Sequence, residues 1–183
     1  NLFMESASDM YFVSMSGQSS VAALQASIYL GCDRSNLILA KSQVSMRTRV
    51  VAIVAAENTY VEATVDSMAT SLSQLSDSAD GYLDSAQTLR EQYGADAVAL
   101  VVKDTTYCGL AWFNDVADAD LSYVVYSYAC VASKTFMHEL AHTQGCQHDR
   151  VEEADFASQN PTYIGFGNCW DDSSLSDCTC YRD

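Results

Sequence analysis

The sequence predicts an α/β fold built on a largely parallel, twisted sheet, and three observations point there. Two runs of strand length, Arg49–Ala56 and Ala97–Val102, are apolar at nearly every position and rich in β-branched residues, as strands covered on both faces are. Segments of helical composition precede and separate them, and glycines stand where those helices would end. Strands that alternate with helices imply crossover connections and hence parallel neighbours.

In chain order, Gln18–Leu30 carries an apolar stripe at helical spacing, and Gly31 suits its end. Arg49–Ala56 follows as a buried strand. Residues 80–102 read as a helix closed by Gly94 and then a second buried strand near Ala97–Val102. The segments "GLAWF" (109–113) and "LSYVVY" (121–126) are shorter strand candidates. A further helix is expected to start near Ser133, with Phe136, Met137, Leu140 and Ala141 on one arc that can pack on the sheet. The single proline, Pro161, lies in the tail, and regular structure should thin out from Gly145 onward. With 183 residues and no repeat or linker, the chain suits one domain.

The balance of 24 acidic against 9 basic residues, a formal charge of −15, argues against nucleic-acid partners, which need clustered Lys and Arg. It argues equally against an anionic membrane surface. The longest apolar run, Val50–Ala56, is too short to cross a bilayer. The first residues lack the basic start and apolar core of a signal peptide, so either the protein stays where it is made or an upstream segment has been removed. Seven cysteines, four of them at 146, 169, 178 and 180, suit a disulfide-stapled secreted protein better than a reduced cytosolic one. Cys178 and Cys180 are too close in sequence for an ordinary structural zinc site. Seven is odd, so at least one thiol lacks an intrachain partner. Cys32, Cys108 and Cys130 are the candidates to pair with a segment beyond this one.

All three histidines fall at 138, 142 and 148, within "FMHELAHTQGCQHDR". His138 and His142 are four apart, so on a helix they lie one turn above the other and can share one metal ion. Glu139 neighbours the first without joining the ligand set, where a general base belongs. Gly145 can take positive φ, stop the helix and turn the chain so that His148 supplies a third nitrogen. Three protein ligands leave a position for water, the pattern of a catalytic zinc site. Asp115, Asp118 and Asp120, and Asp171 with Asp172, form acidic runs without the ligand spacing of a calcium loop; calcium is unsupported and a solvated surface is the expectation.

"HELAHTQGCQH" is the HExxHxxGxxH motif of the metzincins, and Asp149 directly after it resembles the reprolysin or adamalysin-like branch, in particular bacterial secreted relatives. "SQVSMRTRVVAI", "DGYLDSAQTLREQYGADAVAL" and "YCGLAWF" follow the order of elements in that branch, so the resemblance covers most of residues 10–150. It implies a metzincin-type catalytic domain with a twisted mixed sheet, an active-site helix and a small irregular C-terminal part. The single domain, 1–183, would divide into an upper α/β part (1–145) and a lower cysteine-rich part (146–183). It further implies a secreted, monomeric zinc endopeptidase, mature after loss of an upstream segment. Such an enzyme acts on extracellular proteins or peptides, with Zn²⁺ on His138, His142 and His148 and Glu139 as the base. The edge strand at Gly109, Leu110 and Ala111 would pair with extended substrate. One departure stands out: metzincins place a methionine turn after the third histidine, but the last methionine here is Met137. The turn is therefore expected to be missing, replaced or cut away in the lower part, by truncation or by natural departure from the pattern. The alternative function is a catalytically weak zinc-binding module, which retention of Glu139 argues against.

Overall fold

The computed structural model describes residues 7–14, 21–56, 60–62, 67–113, 119–146, 148, 168–169 and 180–181. Among these, five strands form one sheet in the order β2-β1-β3-β5-β4. They are β1 (Ala7–Ser14), β2 (Arg47–Ala55), β3 (Ala97–Val102), β4 (Gly109–Ala111) and β5 (Tyr123–Ser127). The pairs β1–β2, β1–β3 and β3–β5 are parallel, and β4 lies antiparallel to β5 at one edge. The sheet is thus mixed, with one antiparallel edge strand on a parallel body. A separate two-stranded ribbon pairs β6 (Asn168–Cys169) with β7 (Cys180–Tyr181), Cys169 opposite Cys180.

Helices cover both faces, which is why β3 is apolar throughout. Val98, Leu100 and Val102 join Met68, Leu72 and Leu75 of α2 (Met68–Ser76) and Ala86 of α3 (Ser85–Tyr93) in one core. Ala97, Ala99 and Val101 face the opposite core, with Leu24 and Ile28 of α1 (Val21–Lys41) and Phe136 and Leu140 of α4 (Thr135–Thr143). Gly94 ends α3 as expected, left-handed at φ 62° with its N–H returning to Arg90.

Three sequence expectations need correction or completion. Helix α1 does not stop at Gly31 but runs on to Lys41. Gly31 is there for packing: a Cβ on it would collide with the Val131 carbonyl and come 2.8 Å from the Phe136 ring, where α1 crosses the approach to α4. Strand β1 and helix α2 were not expected at all. Helix α2 is rich in Ser and Thr, yet Ser67 caps it by accepting from the Thr70 N–H, and Met68, Leu72 and Leu75 form its buried stripe. Neither Cys108 nor Cys130 waits for an outside segment, because they pair with each other in a disulfide. Cys32 is a buried thiol against Thr48.

No helix among the described residues is long and apolar enough to cross a membrane. Most of 146–183 lies outside the described residues, and with it the division into upper and lower parts. Asp115, Asp118, Asp171 and Asp172 also lie outside them; Asp120 is exposed on a short 3₁₀ turn.

Candidate metal centre and active-site cleft

Helix α4 is seated by its apolar face, which leaves another face to carry chemistry. Phe136 and Leu140 are fully buried, whereas Met137 and Ala141, expected on the same arc, are only half-buried. The Tyr126 hydroxyl donates to the Phe136 carbonyl at 2.7 Å, and the two rings stack at 5.5 Å, tying β5 to the helix. Arg34 of α1 reaches the Ala132 carbonyl just before it.

His138 and His142 occupy successive turns of α4, their ring centroids 4.6 Å apart. Gly145, at φ 88°, then reverses the chain. The Cys146 N–H bonds to the Ala141 carbonyl at 3.0 Å, and the turn brings His148 to 5.3 Å from His138 and 4.8 Å from His142 between centroids. One potential ligand atom from each of the three histidines lies within 4.8 Å of the other two.

The donor set suits a metal ion. The Cys146 carbonyl can only accept, so the 2.8 Å contact from His142 Nδ1 makes that nitrogen the protonated one. His142 Nε2 is left with its lone pair pointed into the cluster. It stands 3.1 Å from His138 Nε2, close to the ~3.3 Å separating two nitrogens that each lie about 2.0–2.1 Å from one tetrahedral Zn²⁺. Burial lowers the His142 pKa to about 4, with the neighbouring His138 and His148 acting the same way against the Cys146 hydrogen bond. The ring is therefore neutral at pH 7, the form that binds a metal.

Glu139, between the two helical histidines in sequence, is only 7% exposed, and burial raises its pKa to about 7. It lines a cleft of about 430 Å³ with His138, His142 and His148. Gly109, Leu110 and Ala111 of the edge strand line the same cleft, so the residues expected as metal ligands, base and substrate strand meet there. Sequence reasoning missed Phe113 and Tyr107. Phe113 is 49% exposed, yet its ring lies 4.2 Å from that of His142 and 5.3 Å, edge-on, from that of His148. Tyr107, just before β4 in the chain, also lines the cleft and is 61% exposed. Their only trace in the sequence is that they flank "GLA", and nothing there says which way they point.

The sheet, the cleft and the three-imidazole cluster fit a metzincin-like metallopeptidase domain, and the family match supports that class. The chain belongs to metallopeptidase family M12: the reprolysin-type model described as metallo-peptidase family M12 matches residues 4–177. Curated relatives include a peptidyl-Asp metalloendopeptidase of Stenotrophomonas maltophilia, 31% identical over 107 residues, covering 58% of this chain and 25% of the relative. Another, from Xanthomonas campestris pv. campestris, is 34% identical over 95 residues, covering 50% of this chain and 22% of the relative. The matches thus span about a quarter of those relatives. Among solved structures, metalloproteinase-II from Bacteroides fragilis superposes at TM-score 0.56, with 15% identity over 79% of this chain and 44% of that one. A chain described as part of a chaperone–substrate complex superposes at 0.63, with 21% identity over 80% of this chain and 27% of that one. These two likenesses concern the fold. The family as such implies a catalytic metal.

Proposed function

We propose that this chain is the catalytic domain of a secreted zinc endopeptidase, with His138, His142 and His148 as the metal ligands and Glu139 as the general base. The observation that carries the reading is the meeting of three imidazole donors within 4.8 Å and a buried carboxyl beside them in one cleft with an edge strand. A structural zinc site needs the ligands but not the carboxylate.

Zn²⁺ held by His138, His142 and His148 would supply Lewis acidity for a water and for the scissile carbonyl. The remaining steps belong to the chain's own groups. Glu139 accepts the proton of the attacking water and passes it to the leaving amine. Cys146, through its carbonyl, fixes the tautomer and orientation of His142. Phe113 packs its ring against those of His142 and His148. Strand β4 pairs with β5 along one side and ends the sheet, so the main chain of Gly109, Leu110 and Ala111 offers an extended peptide a strand to pair with.

Substrates are proteins or peptides met outside the cell. The Cys108–Cys130 disulfide supports an oxidising compartment. The curated relatives are named for aspartyl bonds, which makes peptides with and without Asp beside the scissile bond the first to compare. The test is cleavage of an unfolded protein and of such peptides, with and without phenanthroline. Zinc-dependent cleavage within the chain is expected. Activity indifferent to the chelator, or trimming only from an end, would overturn the assignment.

A further inference from the structure

Gly109 opens β4 opposite Tyr126 of β5 and lies against the face of α4 that carries Glu139. A Cβ on Gly109 would stand 2.5 Å from Glu139 Cγ, 2.8 Å from Oε1 and 2.9 Å from Cδ. Non-bonded carbons prefer about 3.5–4.0 Å. All three nearest atoms belong to that one side chain. The backbone makes no demand of its own, since the positive-φ glycines among the described residues are Gly81, Gly94 and Gly145. Gly109 is needed for space, and the space is filled by Glu139.

The spacing between β4 and α4 is also held from outside the contact. The Cys108 carbonyl accepts from the Ser127 N–H at 2.9 Å, and the Cys108 side chain is bonded to Cys130. Tyr126, opposite Gly109, is hydrogen-bonded to α4 through the Phe136 carbonyl. The strand therefore cannot back away to admit a methyl group, and the Glu139 side chain would have to move instead.

We propose that Gly109 is a positioning residue whose bare Cα forms the wall that seats Glu139, fixing its carboxylate relative to the three imidazoles. This rests on the reading of Glu139 as the base, and it is separate from any main-chain pairing of β4 with a peptide.

The experiment is a double-mutant cycle on the full chain with Gly109→Ala, Glu139→Ala and both together. Glu139→Ala removes all three atoms that the new methyl would strike. Melting of the metal-free proteins is expected to drop by roughly 2–12 °C for Gly109→Ala in the parent, the range of overpacked sites in a domain this size. In the Glu139→Ala background most of that drop should vanish. With zinc restored, Gly109→Ala should keep its metal stoichiometry and hold KM within about twofold, while kcat falls roughly 10- to 100-fold, as for a displaced catalytic group. An equal melting drop in both backgrounds, or an unchanged kcat, overturns the proposal. If Gly109→Ala alone fails to fold, the double variant should fold, and its failure would also overturn it. Should Glu139→Gln leave turnover intact, the base assignment fails, while the melting cycle still decides the packing claim.

Discussion

Replacing Cys108 and Cys130 together by Ser removes the cross-link between the start of the edge strand and the turn that leads into α4. The two residues are 22 apart in sequence. For a loop of that size, the chain-entropy relation gives about 3.4 kcal/mol of stabilisation, all of it from restricting the unfolded chain. In a domain of this length, each kcal/mol shifts the melting temperature by roughly 2–4 °C, so a fall of about 7–14 °C is expected. The melt should be followed at saturating zinc in both proteins, because any difference in metal occupancy adds its own shift. Reducing the parent with a non-chelating phosphine should reproduce the drop. A second effect follows from the place of the bond: Cys108 lines the cleft and adjoins Gly109. Loosening it should raise KM for extended peptides more than for short ones, because in the proposed function only the former pair with the strand. A double variant that melts within 2 °C of the parent would refute the reasoning, showing that β4 is held by its pairing to β5 alone.

Gly31→Ala is expected to destabilise the protein, although alanine is favoured over glycine in helices by roughly 1 kcal/mol. The methyl would meet the Val131 carbonyl and the Phe136 ring, and a higher denaturant midpoint would contradict this. His148→Ala should lose zinc affinity by more than the 10–100-fold typical of removing a partner behind a ligand, read by competition with a chromogenic chelator. Undiminished zinc would remove His148 from the ligand set. Mass spectrometry of alkylated, non-reduced protein should find most of Cys146, Cys169, Cys178 and Cys180 oxidised in secreted material. Four freely alkylated thiols would show the compartment argument to be wrong.

The parts of the fold legible in the sequence are those where local pattern and tertiary role agree. Ala97–Val102 is apolar at every position because helices cover both its faces, and Gly94 ends α3 because only a left-handed residue closes it there. Gly31 shows the opposite case. A glycine after an apolar stripe is a sound stop signal, but here crowding against Val131 and Phe136 requires it inside the helix. Helix α2 was illegible because Thr70, Ser71, Ser73 and Ser76 hold four of its nine positions and resemble a loop, leaving Met68, Leu72 and Leu75 to mark it. In the site, the gathering of His138, His142 and His148 could be read from spacing, since one helix and one glycine turn determine it. The fit of Gly109 to Glu139 and the packing of Phe113 on His142 could not. They join residues about thirty positions apart, and no local pattern records which face of β4 meets α4.

Glu139→Gln puts the central claim to the most direct test, because it keeps the shape of the side chain and removes only its basicity. Zinc stoichiometry and melting temperature should stay at the parent's values. Turnover of a fluorogenic peptide should fall by at least the ~10²–10⁴-fold that a positioned general base supplies. A Gln variant as active as the parent would show that another group moves the proton. A zinc-loaded parent that cleaves no peptide pool would instead make the chain a metal-holding binding module.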